Sequence, residues 1–214
     1  MALTRIGLNQ SINLASNVTG TLPAANGGTG ATSFNAASLV KLSTITASSS
    51  TSISFDGLFT SDYKNYIVYY NNLLPATDDV QPRVRYRQSD ADMTATQYGV
   101  ANIGVYRQDG TGDGSITGGQ NEDYAAIVYN RGGSNVAQDF GFSGYMEIFN
   151  PLDTAGYKLM SGKMNWVRAD ADYFQTSMFI IRNEANTNAL SGVSLFMSSG
   201  NITSGTATMY GIKS

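Results

Sequence analysis

The 214-residue chain contains no cysteine and no histidine. Without cysteine, neither disulfides nor thiolate chemistry can contribute, so a small scaffold stapled by cystines is excluded. Lacking both residue types, one chain cannot assemble a Ser-His-Asp or Cys-His nucleophile or the usual zinc ligand sets. Charge is also scarce. Charged residues make up 14% of the chain, against about 25% in ordinary soluble domains. Thirteen basic residues against sixteen acidic ones leave a net charge of −3, which supplies no general attraction to nucleic acid. No run of ~18 apolar residues predicts a membrane-spanning helix. The opening Met1-Ala2-Leu3-Thr4-Arg5-Ile6-Gly7-Leu8 lacks the continuous apolar core of a signal peptide, so no membrane insertion and no signal-directed export are expected.

Polarity comes instead from Ser, Thr, Asn, Gln and 23 glycines, residues suited to extended ladders, turns and packed subunit surfaces. From Leu42 onward, short alternating runs separated by turn residues continue to the C-terminus. They predict strands at Leu42 to Ala47, Ser50 to Phe55, Tyr66 to Asn71, Pro82 to Arg87, Val100 to Tyr106 and Tyr124 to Tyr129. Further strands are expected at Phe142 to Phe149, Tyr157 to Trp166, Phe174 to Arg182, Ser191 to Met197 and Thr206 to Ile212. Turns are expected at Asp56-Gly57, along Asp109 to Gly119, at Arg131-Gly132-Gly133, at Asn150-Pro151 and at Ser199-Gly200-Asn201. Asp170 to Phe174 and Asn183 to Leu190 have room for one helical turn each, but nothing sustains a 3.6-residue period. The fold class is therefore all-β: an antiparallel, jelly-roll-like sandwich over 42–214, preceded by an extended segment over 1–41.

Within 1–41, Ile6, Leu8, Ile12, Leu14, Val18 and Leu22 are spaced mostly by two or four with polar residues between, a pattern of extended chain and not of helix. A lone ribbon exposes that apolar edge, whereas three copies wrapped together can turn it toward a shared axis; a leader without fixed structure is the alternative. After it comes Leu22-Pro23-Ala24-Ala25-Asn26-Gly27-Gly28-Thr29-Gly30-Ala31-Thr32, too small-sided and turn-rich to build a core. This run resembles the LP-x-x-N-G-G-T-G element of bacteriophage tail fibres and other virion appendage proteins. Tyr63-Lys64-Asn65-Tyr66, the proline-bearing Leu74-Pro75-Ala76-Thr77 and the closing Met209-Tyr210-Gly211-Ile212-Lys213 resemble a Y-x-N-Y corner, a turn and a final Y-G strand of β-rich appendage domains. The resemblance covers both ends and the first half of the domain and is thin between Gln108 and Ala189.

What the resemblance implies is a non-enzymatic virion protein, made in the host cytoplasm. It would form a homotrimeric tail fibre or spike, joined to other tail or virion proteins through the N-terminal segment, and attach to the host surface by multivalent contact. A head fibre, capsid decoration or tail-assembly component without receptor contact is the structural alternative. A polysaccharide depolymerase and a cellular carbohydrate-binding module are the alternatives from other classes.

The remaining chemistry is that of carboxylates. Asp78 with Asp79, Asp90 with Asp92, Asp109 with Asp113, Glu122 with Asp123 and Asp170 with Asp172 are clustered within one to four positions of each other in sequence. A glycosidase, however, needs two carboxyls ~5–9.5 Å apart across a sugar bond, a geometry that sequence proximity does not supply. Asp109-Gly110-Thr111-Gly112-Asp113-Gly114 has the look of a calcium loop, yet its twelfth position is Gln120 where an EF-hand needs a bidentate glutamate. No catalytic residue, metal or cofactor is therefore assigned.

Arg83, Arg85 and Arg87 alternate with Val84 and Tyr86, which places three guanidinium groups on one side of a strand and the intervening side chains toward a core. Two roles are open to that face. It can capture anionic groups of a bacterial surface polysaccharide through forked donors, or it can form salt bridges to acidic residues of an adjacent strand or subunit, the more ordinary outcome. Thirteen tyrosines raise the question of sugar stacking, with Tyr69, Tyr70, Tyr98, Tyr106 and Tyr129 near strand ends. Trp166 reads as a core or interface anchor.

Overall fold

The computed structural model describes residues 39–108, 111–128, 140–168 and 174–213. A compact unit spans Ser38–Ser214. Ile6, Leu8, Ile12, Leu14, Val18 and Leu22, expected at a trimer axis, lie outside the described residues.

The described residues form thirteen strands and no helix. In chain order they are β1 (Leu39–Thr46), β2 (Ser52–Asp56), β3 (Asn65–Pro75), β4 (Pro82–Gln88), β5 (Ala91–Asp92), β6 (Tyr98–Gln108) and β7 (Thr111–Glu122). There follow β8 (Ala125–Ala126), β9 (Phe142–Phe149), β10 (Lys158–Val167), β11 (Phe174–Asn183), β12 (Gly192–Met197) and β13 (Ile202–Ile212). All pairings are antiparallel. One sheet has the order β1-β13-β3-β9-β10-β11-β6-β7; the other has β2-β12-β4-β5, with β8 also on β4. The quartets β1-β13-β3-β9 and β2-β12-β4-β8 are the two halves of a jelly roll, in which the chain passes back and forth between facing sheets. Two excursions interrupt this plan: β5 to β7 between β4 and β8, and β10 with β11 between β9 and β12. Their longer strands extend the first sheet beyond β9 by four strands.

Alternation sets which side chains fill the space between the sheets. Val84, Tyr86, Val193 and Leu195 enter from the smaller sheet, and Tyr66, Val68, Met146, Ile148, Met160 and Met164 from the larger, all 0–1% exposed. Trp166 joins this core, its ring 6.2 Å from that of Phe142. Tyr70 and Tyr98 are buried as well, so neither is placed to stack on a sugar. The Tyr98 hydroxyl accepts from the Tyr86 amide at 2.8 Å and donates to the Met93 carbonyl at 3.1 Å, while its ring stacks on Tyr86.

The expected corner at Tyr63 to Tyr66 is built by hydrogen bonding back along the chain. The Tyr66 hydroxyl accepts from the Thr60 amide at 2.7 Å and donates to the Thr60 carbonyl at 2.9 Å. Its ring lies between Phe59 and Tyr63. The Tyr63 ring in turn covers Gly211, where a methyl group would sit 2.5 Å from it. Tyr-Gly near the chain end thus supplies the bare backbone on which the corner rests.

Two expectations from sequence need correction. The first strand was expected to begin at Leu42, but β1 starts at Leu39 and pairs with Ile212, because the exposed Leu39 and Lys41 can join a ladder through their backbone alone. Thr111 to Gly119, expected as turn, is most of β7, paired with β6 from Gln108↔Thr111 to Tyr98↔Glu122. Glycine and aspartate disfavour strands by propensity, yet a long neighbouring strand satisfies their amides and carbonyls regardless of side chain.

Burial sets an alkaline limit on stability. Tyr70, Tyr86 and Tyr98 are each held above their ordinary value of 10.0, first of all by desolvation. A phenol that stays neutral in the fold while the unfolded chain ionises stabilises fully below pH 10, and that stability is lost as pH rises through the folded value. Each should cost about 1.4 kcal/mol by pH 11. Melting temperatures measured between pH 8 and 11 should fall progressively above pH 10, and less steeply in Tyr70→Phe. An unchanged profile in that variant would remove Tyr70 from the account.

Candidate functional site

The outer face of the smaller sheet carries the arginine strand. In β4, Val84 and Tyr86 face the core, and Arg83, Arg85 and Arg87 lie on the opposite side, half-buried. The three guanidinium groups are not presented alike. Arg85 donates from Nη2 to Asp123 Oδ2 at 2.6 Å and from Nε to the Asp123 carbonyl at 2.8 Å. Its Nη1 lies 3.6 Å from Asp92 Oδ2, and its guanidinium carbon sits 4.5 Å from the centre of the Phe196 ring. Arg87 donates from Nε to Asp56 Oδ1 at 2.7 Å, and its other nitrogens bond Asp92 Oδ1 and the Asp90 carbonyl. Arg83 stacks over Tyr124 at 3.8 Å.

Asp92 is the hub of this arrangement, since it faces both Arg85 and Arg87 and accepts a hydrogen bond from Ser194 Oγ at 2.9 Å. Burial alone disfavours the Arg87 charge, but the bonds and field of Asp56 and Asp92 outweigh it and raise its pKa. The Arg87 to Asp56 pair depends on a missing side chain. β12 runs between β2 and β4, and Gly192 is paired with both Asp56 and Arg87. A Cβ at Gly192 would lie 1.8 Å from the Phe55 carbonyl oxygen and 2.7 Å from Asp56 Oδ1, so only glycine lets the guanidinium cross β12 to reach β2.

The sequence therefore foretold the common face of Arg83, Arg85 and Arg87 but missed their partners. Asp56, Asp92, Asp123, Gly192 and Ser194 come from four other places in the chain and carry no shared local signal. Asp92 and Asp123, counted among the sequence-adjacent carboxylates, are engaged with arginine. Asp109, Asp170 and Asp172 lie outside the described residues. Among the described residues, no three acidic side chains come together as a metal site.

A second surface lies on the outer side of the larger sheet. Gly99, Gly118 and Gly119 leave an open hollow of about 640 Å3, bordered by Ala101, Leu159, Ile180 and Arg182. The Arg182 guanidinium pairs with Glu184 at its rim. On the same side, Tyr69 contacts Tyr145 and Tyr210 at centroid distances of 6.1 and 5.9 Å. Of the tyrosines considered for stacking, Tyr69 is exposed there; the side chain of Tyr106 and the whole of Tyr129 lie outside what the structure describes.

Comparison of the chain with protein-family models, curated proteins and solved structures finds no match.

Proposed function

We propose that this chain is a non-catalytic bacteriophage virion protein: a component of a homotrimeric tail fibre or spike that contributes to attachment at the host surface. The observation that carries this reading is the succession of its parts, a glycine-rich Leu22 to Thr32 leader of appendage-protein type followed by a jelly roll. The leader joins the chain to other virion proteins, and three copies multiply a weak surface contact through effective concentration. The engagement of Asp56, Asp92 and Asp123 with arginine supports a structural use of these carboxylates and weighs against a depolymerase. It also weighs against Arg85 and Arg87 as receptor contacts, because an incoming anion would have to displace carboxylates already in place.

The test is localisation on the particle. Antibodies against the chain, applied to purified particles of the virus that encodes it, should label a tail appendage, and an excess of the recombinant chain should slow adsorption to host cells. Labelling on the capsid would assign it to a head fibre or decoration protein, and its absence from purified particles would overturn the proposal.

A further inference from the structure

Among the strands added to the larger sheet, the described side chains of β10, β11 and β6 bury one face and leave the other unclothed. Alternation puts Ser177, Phe179, Ile181 and Asn183 of β11 inward and Met178 and Ile180 outward, 55% and 53% exposed. Ile103 and Val105 of β6 are turned the same way at 48% and 50%. Register aligns these residues across the sheet: Tyr69 on β3 lies opposite Tyr145 on β9, Tyr145 opposite Lys163 on β10, Lys163 opposite Met178, and Met178 opposite Ile103. One continuous row, apolar but for Lys163, thus crosses five strands.

We infer that this outer face is where a second copy of the chain packs. Tyr69, Tyr145, Met178, Ile180, Ile103 and Val105, with Leu159 beside them, present on the order of 700 Å2 of accessible surface. That exceeds the ~300–600 Å2 of the largest apolar patch on a typical monomer and approaches the ~800 Å2 each partner gives to a standard interface. Charge points to a like partner and not to a charged one. Among the described side chains of this stretch, Glu147 and Lys163 are of opposite sign on neighbouring strands β9 and β10, and Arg182 at the edge of the hollow is paired with Glu184, so two copies meet without net repulsion and each can offer the other's ion a counter-charge. The relief suits self-packing too. Gly99, Gly118 and Gly119 make a hollow at one end of β11, while Phe174, 67% exposed, projects at the other. The inference does not depend on where the protein resides, and it assigns self-association to the sheet as distinct from the leader.

The test uses the full chain. Light scattering and sedimentation at 1–100 µM, as an order-of-magnitude range spanning typical weak association, should show an assembly larger than a monomer. Ile103→Lys with Met178→Glu places opposite charges across β6 and β11, which sheets tolerate, and should raise the dissociation constant at least tenfold with an unchanged circular dichroism spectrum. Should that pair fail to fold, Ile180→Thr keeps a β-branched residue on the strand and should weaken assembly in the same direction. A wild-type chain that stays monomeric at 100 µM overturns the inference and leaves the face to a different partner. Folded variants that assemble as tightly as wild type overturn it by placing self-association elsewhere, for example in the leader. A monomeric wild-type chain would also count against the homotrimer of the proposed function, whereas folded variants that assemble as tightly as wild type overturn the inference alone, and neither result touches localisation on a virus particle.

Discussion

Gly192→Ala should cost about 4 kcal/mol or more and leave little folded protein at 37 °C, the range reached when steric overlap cannot relax. The added carbon would start 1.8 Å from the Phe55 carbonyl oxygen, and that oxygen belongs to the backbone of β2, so no side-chain rotation relieves the overlap. Moving β2 away would also disturb Ile53 and Phe55, which are 1% and 2% exposed in the core. The same methyl group would lie 2.7 Å from Asp56 Oδ1 and push apart the pair that Arg87 makes across β12. Urea denaturation monitored by tryptophan fluorescence reads the effect through Trp166, the single tryptophan. As a control, Gly99→Ala adds a methyl group with nothing within 4 Å and should change stability little. Near-wild-type stability for Gly192→Ala would show that β2 is far less constrained than its packing indicates.

Asp92→Ala should cost about 2–3 kcal/mol, below the range for a fully buried pair because Asp92 keeps some solvent contact. The loss would take one carboxylate from two guanidinium groups at once: Arg85, with 19% of its side chain exposed, would keep only Asp123, and Arg87, with 15%, only Asp56 and the Asp90 carbonyl. Ser194 Oγ would also lose its acceptor. Asp92→Asn keeps the shape and one acceptor oxygen and should cost less. The sharper readout is coupling. If Asp92 acts through Arg87, then Arg87→Met should cost less in the Asp92→Ala background than in wild type, by 1 kcal/mol or more, as contacting residues do in double-mutant cycles. Additive effects would instead make the network a set of independent surface contacts. High salt should weaken the wild-type protein only slightly, since partly buried pairs are poorly screened.

These two residues also show why the site was only half legible. Arg83, Arg85 and Arg87 could be placed on one face from the period of two alone, because a strand's alternation is local geometry. Gly192 read simply as a residue beside a strand, and Asp92 as one of several acids near turns. The role of Gly192 comes from β12 lying between β2 and β4, which joins residues more than a hundred positions apart; Asp92 meets Arg85 and Arg87 within a few positions through the β4–β5 pairing, and only Ser194 reaches it from far along the chain. The expected turn over Thr111 to Gly119 failed for a related reason: propensity describes what glycine and aspartate do alone, and the partner β6 decided otherwise.

The sequence by itself determined the all-β class, the positions of most strands, the core-facing half of each and the exclusion of cysteine and histidine chemistry, since these depend on composition and on neighbours one or two residues away. A jelly-roll-like sandwich was expected from the strand pattern, but which eight strands supply it, and that four more widen a single sheet, emerged only from the strand order. The tertiary structure likewise decided that the arginines spend their donors on Asp56, Asp92 and Asp123 and that an apolar row runs from Tyr69 to Ile103. Each of these depends on which strands become neighbours, and strand order is set by the burial and hydrogen bonding of the whole chain at once.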